Sequence, residues 1–209
     1  MRLKTSQELF WAGEFGNAYL ERNNVAPEHW HPFFAQVLSR TYGVRTICEL
    51  GANRGHNLSA IAGLSPNYEL FGVDVNARAV AEMRNVPGVT ATLSSAQDYE
   101  PGRTFDLVFT SGVLIHICPE DLPTIYKKLY ILSNRYIMIN EYFSPTPVTV
   151  EYRGTKDALF KRDFAGELID TNGGKLAVVD YGFLWKRAVP TADDSNWFLF
   201  EKRQCARHP

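Results

Sequence analysis

The chain has 209 residues, 45% hydrophobic and 22% charged, which suits one globular domain with a sizeable core. Its 22 basic residues against 23 acidic ones leave a formal net charge of −1, arguing against the basic footprint of a tRNA or DNA binder. No run of eighteen apolar residues and no signal-peptide core occurs, and the three cysteines, Cys48, Cys118 and Cys205, form no disulfide framework. The expected protein is therefore cytoplasmic, free of the membrane, and a monomer or homodimer.

In chain order, Leu9, Phe10, Tyr19 and Leu20 predict an amphipathic helix over 6–21. Pro27 opens a second helix running through Trp30, Phe33, Phe34, Val37 and Leu38. Short apolar runs then alternate with helical patterns. Strands are predicted at 46–50, 69–74, 89–93, 105–110 and 136–141, with helices at 57–63, 76–84 and 120–132 between them. Such alternation implies a parallel, doubly wound α/β sheet that binds its ligand across the strands' carboxyl ends. After the proline-rich stretch Ser144-Pro-Thr-Pro147, a helix over 156–170 and two strands, 175–183 and 196–202, are predicted. The last two make an antiparallel pair at one sheet edge.

The most informative segment is Thr46-Ile-Cys-Glu-Leu-Gly-Ala-Asn-Arg-Gly-His56. A strand ends in an acid, then breaks into Gly51 and Gly55. A second acid, Asp74, ends the next strand. Glycines let a backbone turn tightly beside a nucleoside, and an acid on the second strand accepts protons from ribose hydroxyls. A dinucleotide loop wants G-x-G-x-x-G and a helix N-terminus facing a pyrophosphate. Here Asn53 stands in the middle of the loop, where Asn tolerates positive φ. Glu49 would repel a diphosphate and attract a cation, which favours S-adenosylmethionine.

Glu49-Leu-Gly-Ala-Asn-Arg-Gly55 together with Asp74 resembles the first motifs of class I methyltransferases. The resemblance implies a Rossmann-like seven-stranded sheet, mostly parallel with an antiparallel C-terminal pair. It implies a catalytic α/β core over 43–209 and an N-terminal helical lid over 1–42. Glu49, Gly51, Asn53 and Gly55 would line the methionine side of the cofactor and Asp74 the ribose. Val75, Asn76, Ser95 and Ala96 would flank the adenine, and Thr110 and Ser111 would lie under the transferring methyl. Trp11 and Tyr19 would cover the site, with Arg22 as a donor to the cofactor carboxylate.

Methyl transfer needs an aligned nucleophile, exclusion of water and sometimes a base. His116 and Glu141 are the candidate bases. Tyr142, Tyr152, Arg153, Lys161 and Arg162 form the candidate acceptor wall, because guanidinium groups bind carboxylate or phosphate bidentately. No Cys/His spacing suggests a metal. Phe10-Trp-Ala-Gly-Glu-Phe-Gly16, Thr110-Ser-Gly-Val-Leu-Ile-His-Ile117, Glu141-Tyr-Phe-Ser-Pro-Thr-Pro147 and Lys161-Arg-Asp-Phe-Ala-Gly-Glu167 also resemble the small methyltransferases associated with pseudaminic acid biosynthesis. That resemblance implies methylation of O or N on a small, polar, anionic metabolite such as a nonulosonate or amino sugar. Three other readings stay open: an RNA methyltransferase, a nicotinamide-dependent reductase of an acidic sugar, and a non-catalytic cofactor-binding scaffold.

Overall fold

The computed structural model describes residues 3–23, 25–189 and 192–203; Cys205 lies outside them. Seven strands form one sheet in the order β3-β2-β1-β4-β5-β9-β8. β1 (Thr46–Leu50), β2 (Glu69–Asp74), β3 (Val89–Leu93), β4 (Phe105–Ser111) and β5 (Ser133–Glu141) run parallel. β9 (Ser195–Lys202) inserts antiparallel between β5 and the edge strand β8 (Leu176–Leu184). The predicted mostly parallel sheet with its antiparallel pair is the observed fold.

Helices cover both faces because the parallel strands are apolar on both sides. On one face α3 (His31–Ser39), α4 (His56–Leu64) and α5 (Ala77–Met83) bury Phe34, Val37, Leu58, Ile61 and Met83. On the other, α6 (Leu122–Leu132) and α7 (Phe164–Thr171) bury Leu122, Ile125, Leu129, Phe164 and Leu168. Each such side chain contributes roughly 1.5–3 kcal/mol of transfer free energy. β1 hydrogen-bonds to β2 on one side and β4 on the other, so the strand order reverses there and a crevice opens at the carboxyl ends. Among the described residues no helix is long and apolar enough to cross a membrane.

Three predicted elements differ. The N-terminal helix is two helices, α1 (Ser6–Ala12) and α2 (Glu14–Arg22), because Gly13 adopts an extended conformation (φ −94°, ψ −153°). Pro27 opens a 3₁₀ turn, Pro27–Trp30, ahead of α3. The helix expected over 156–170 is half strand. β6 (Val148–Tyr152) and β7 (Thr155–Lys161) form a hairpin, and α7 begins only at Phe164. Arg153 and Gly154 both have positive φ, 50° and 79°, as a two-residue hairpin turn of the primed type demands. Asp163 then caps α7, its side chain accepting from the Gly166 N–H at 2.9 Å.

Candidate active site

The crevice is a cavity of about 280 Å³, at the small end of the range for small-molecule sites. Its floor is the carboxyl ends of β1, β2, β4 and β5. The helices α1 and α2 lie across it, and the loop between β8 and β9 forms one wall.

At the end of β1 the chain must turn back over β2. Gly51 does so at φ 76°, and the Gly51 and Ala52 N–H groups donate to Val73 O at 2.8 and 2.9 Å. Asn53 takes φ 51°, the left-handed conformation expected of it. Its N–H donates to Asp74 Oδ2 at 2.7 Å, while the Asn76 N–H donates to Asp74 Oδ1 at 2.8 Å. Asp74 thus ties the loop to the tip of β2 and still faces the cavity, each oxygen retaining acceptor capacity. Burial raises its pKa; the Asn76, Asn53 and Val75 amides oppose the rise.

Glu49 is 1% exposed. Its Oε1 accepts from Asn57 Nδ2 at 2.6 Å, whereas Oε2 is buried without a partner. Burial, with a smaller push from Asp74, raises its pKa to about 8 against the Asn57 hydrogen bond. An orphaned carboxylate oxygen at a cavity wall is unfavourable unless a cation meets it. The ammonium and sulfonium of S-adenosylmethionine meet that need, and Asp74 offers acceptors for the ribose, so these residues fit the cofactor.

Several predicted positions are placed otherwise. Gly55 starts α4 and packs toward Met83 and Val86, outside the cavity lining. Thr110 is fully enclosed, one residue short of the end of β4; Ser111, Gly112 and Val113 reach the cavity instead. Asn76 lines the cavity, but its side chain is spent. Its Oδ1 caps α5 and its Nδ2 donates to Trp11 O and Asn17 Oδ1, both at 3.0 Å. Val75, Ser95 and Ala96 do line it, and Ser95 Oγ also accepts from the Asp98 N–H.

Trp11 and Tyr19 line the cavity from above. Trp11 packs edge-on against Phe15 and Tyr19 and lies 4.6 Å from the His116 ring. Arg54 Nη2 donates to Leu20 O at 2.6 Å and Arg78 pairs with Glu21, so the cofactor-loop side of the fold holds α2 down. Arg22 is exposed, with its guanidinium 5.4 Å from the Phe15 ring, and does not reach the cavity.

His116 is 9% exposed, in a 3₁₀ turn after β4. Its Nδ1 lies 2.7 Å from Ala158 O, an arrangement that requires Nδ1–H as donor and leaves the Nε2 lone pair free. Burial lowers its pKa to about 4. Glu141 is committed elsewhere. Its two oxygens accept from the Val113 and Ile115 N–H groups at 3.2 and 3.3 Å, fixing the turn that carries His116. Burial still raises it to about 7.

The predicted acceptor wall comes together only in part. Tyr142 lines the cavity, and its hydroxyl donates to Asp193 Oδ2 at 2.6 Å. Lys161 Nζ sits 5.3 Å from the Tyr142 ring and Tyr152 packs against His116 and Phe15; neither lines the cavity. Arg153 is at the hairpin tip over Tyr152. Arg162 is paired with Glu167 at 2.7 Å, and Glu167 also accepts from the Tyr126 hydroxyl. The arginines do not converge because the segment expected to be helix is the hairpin. Sequence reasoning missed Asp193, Ser195, Asn57 and Arg54, whose roles arise from contacts between distant segments. Ser195 donates to Asn140 Oδ1 at 2.8 Å, and Asn140 Nδ2 donates to Ser111 Oγ at 3.0 Å.

Residues 47–133 match the family model described as a methyltransferase domain. No curated protein matches the chain in sequence. The structure resembles magnesium protoporphyrin IX methyltransferase from Synechocystis PCC 6803 with bound SAM, at TM-score 0.69 and 11% identity over 97% of this chain and 100% of that one. It resembles 1,6-didemethyltoxoflavin-N1-methyltransferase from Burkholderia thailandensis with S-adenosylhomocysteine bound, at TM-score 0.73 and 14% identity over 98% and 93%. The plantazolicin methyltransferase complexed with SAH gives TM-score 0.65 and 12% identity over 95% of each chain. Those structures share the fold of this chain, and the segment that matches the methyltransferase-domain model holds the cofactor loop, Asp74 and His116.

Proposed function

We propose that the chain transfers the methyl group of S-adenosylmethionine to an oxygen or nitrogen of a small polar metabolite. One observation carries the reading: Glu49, with an unpartnered oxygen, and Asp74, with free acceptor capacity, open onto one cavity. Glu49 and Gly51 take the cationic amino-acid end, Asp74 the ribose, and Val75, Ser95 and Ala96 the adenine. Residues 1–42 act as the lid over a catalytic core of 43–209.

When bound, the cofactor supplies a methyl carbon activated by its sulfonium. Glu49, Gly51 and Asp74 would hold it so that this carbon is offered to an acceptor lone pair and the sulfur is kept as a thioether. A proton lost from the acceptor passes to His116 Nε2, the free acceptor on a neutral ring, and then to solvent. Glu141 is a positioning residue, holding the turn beneath His116. Trp11 and Tyr19 exclude water and Tyr142 orients the acceptor through its bond to Asp193.

An anionic acceptor, such as the nonulosonate the sequence resemblance implies, would meet Arg153 only at the hairpin tip, outside the cavity lining. Arg162, tied to Glu167, does not contribute. The core of the reading is tested by calorimetry with S-adenosylhomocysteine. Asp74→Ala should abolish binding while the fold, followed by circular dichroism, persists; unchanged affinity removes the ribose assignment.

A further inference from the structure

β8 closes the sheet, and its outer edge has no neighbouring strand among the described residues. Proteins usually blunt such an edge with charge, proline, short length or a bulge, and β8 has one bulge, between Val178 and Asp180. β8 is nine residues long, has no proline, and carries Asp180 as its single charged residue. Tyr181 is 67% exposed, Phe183 56% and Val178 50%, with Val179 beside them and Trp185 just beyond.

The two faces of the strand differ. Tyr181 stacks on Phe198 at 6.0 Å, and Phe198 on the buried Phe200, so Tyr181 and Phe183 extend the face that α6 and α7 cover. On the other face Gly182 packs under Trp197, and Asp180 pairs with Arg40 at 3.0 Å. The strand's one charge is therefore neutralised and turned away from the apolar stripe.

We propose that a second copy of this chain docks here, β8 pairing antiparallel with the partner's β8 about a two-fold axis at Tyr181. An isologous contact needs only self-complementarity, and this register supplies it. On the regular side of the bulge at Val179, Tyr181 falls opposite its own copy and Asp180 opposite the partner's Gly182. No like charges meet within the strand, and two seven-stranded sheets become one. The five exposed apolar side chains present on the order of 500 Å², taking about 150–250 Å² for a whole aromatic side chain. A standard interface needs about 800 Å² per partner, so the side chains alone make a small contact, to which the paired backbone edge adds its hydrogen bonds. The cavity at the ends of β1, β2, β4 and β5 stays open, so the proposal does not depend on the catalytic reading.

Light scattering on size-exclusion fractions tests it. The wild-type chain should have twice the chain mass across the micromolar range, and Tyr181→Lys/Phe183→Lys should have the single mass with unchanged S-adenosylhomocysteine affinity. A second arm serves if that variant fails to fold. In a Cys118→Ser/Cys205→Ser background, Tyr181→Cys should cross-link the dimer on mild oxidation, since residues facing each other across an antiparallel pair lie within disulfide reach. Val179→Cys, in the bulge and off the two-fold axis, should not. A monomeric wild type, a dimer that survives both lysines, or a Val179→Cys cross-link without the Tyr181→Cys one would overturn the proposal.

Discussion

Glu49 makes cofactor affinity a proton-linked quantity. In the free protein burial pushes its pKa up to about 8. A bound ammonium would draw it back toward the ordinary value near 4.3, because only the ionised form attracts the cation. Binding below pH 8 must therefore expel a proton. The ionised, binding-competent fraction is roughly 1% at pH 6, 10% at pH 7 and one half at pH 8, so apparent affinity should rise about 50-fold from pH 6 to pH 8. Calorimetry of S-adenosylhomocysteine in buffers of different ionisation enthalpy reads both quantities, with about 0.9 proton released at pH 7. Glu49→Gln should bind weakly at every pH and release none. Stability runs the other way. An acid whose pKa is raised in the folded state contributes stability that is fully present below its unfolded value and is lost as pH rises through about 8. At pH 8 the free Glu49→Gln protein should be the more stable by roughly 2–4 kcal/mol, at about 1.4 kcal/mol per pKa unit with allowance for relaxation. Flat affinity between pH 6 and 8, without proton exchange, would refute this reasoning.

Two further outcomes are expected. A Cβ on Gly16 would sit 1.8 Å from Trp11 O and 2.8 Å from Asn76 Nδ2. Gly16→Ala should therefore lift α1 from the cavity and weaken S-adenosylhomocysteine binding by about 10-fold or more, losing on the order of 1.4 kcal/mol, with the thermal transition of the core little changed. His116, held near pKa 4, should stay neutral by NMR from pH 5 to 9 in a single Nδ1–H tautomer. With an acceptor in hand, His116→Ala should lower kcat about 10²-fold and leave cofactor affinity intact; full turnover would leave proton removal to solvent.

The geometry of the proposed cofactor half is legible in the sequence because its determinants are local. Glu49, Gly51, Asn53 and Asp74 sit at the ends of two adjacent parallel strands, and the β1–β2 register fixes their separation. The positive φ of Asn53 and the strand-end acid follow from residue chemistry alone. Of the pair Thr110 and Ser111 only Ser111 meets the cavity, since the strand ends there and parity decides which side chain faces it. Arg162 failed for a different reason. Residues 156–162 include good helix formers, but Val148, Thr149 and Val150 offer them a partner strand, and hairpin pairing overrides helix propensity. The alternation in Val-Thr-Val and the Arg153-Gly154 turn were the available signals. Asp193 had none, because its position is set by how β9 pairs.

That pairing explains why the acceptor side lies where it does. The parallel strands all deliver their carboxyl ends to the cavity, so a further parallel strand would bring its amino end to the far side of the sheet. β9 runs antiparallel to β5 with Asn196 opposite Glu141, so its amino end meets the carboxyl end of β5. The loop before β9 is thereby delivered to the cavity beside Asn140, Glu141 and Tyr142. Asp193 meets Tyr142, and Ser195 joins Asn140 and Ser111 in one polar chain. In the proposed reading the cofactor is held mainly by β1, β2 and their loops, whereas the acceptor would face α1, α2, the His116 turn and the β8–β9 loop. Those elements are attached through a few hydrogen bonds and aromatic contacts, so their side chains can change with little effect on Glu49 and Asp74. Acceptor choice should accordingly respond to substitution at Asp193 that leaves the affinity for S-adenosylhomocysteine within a few-fold.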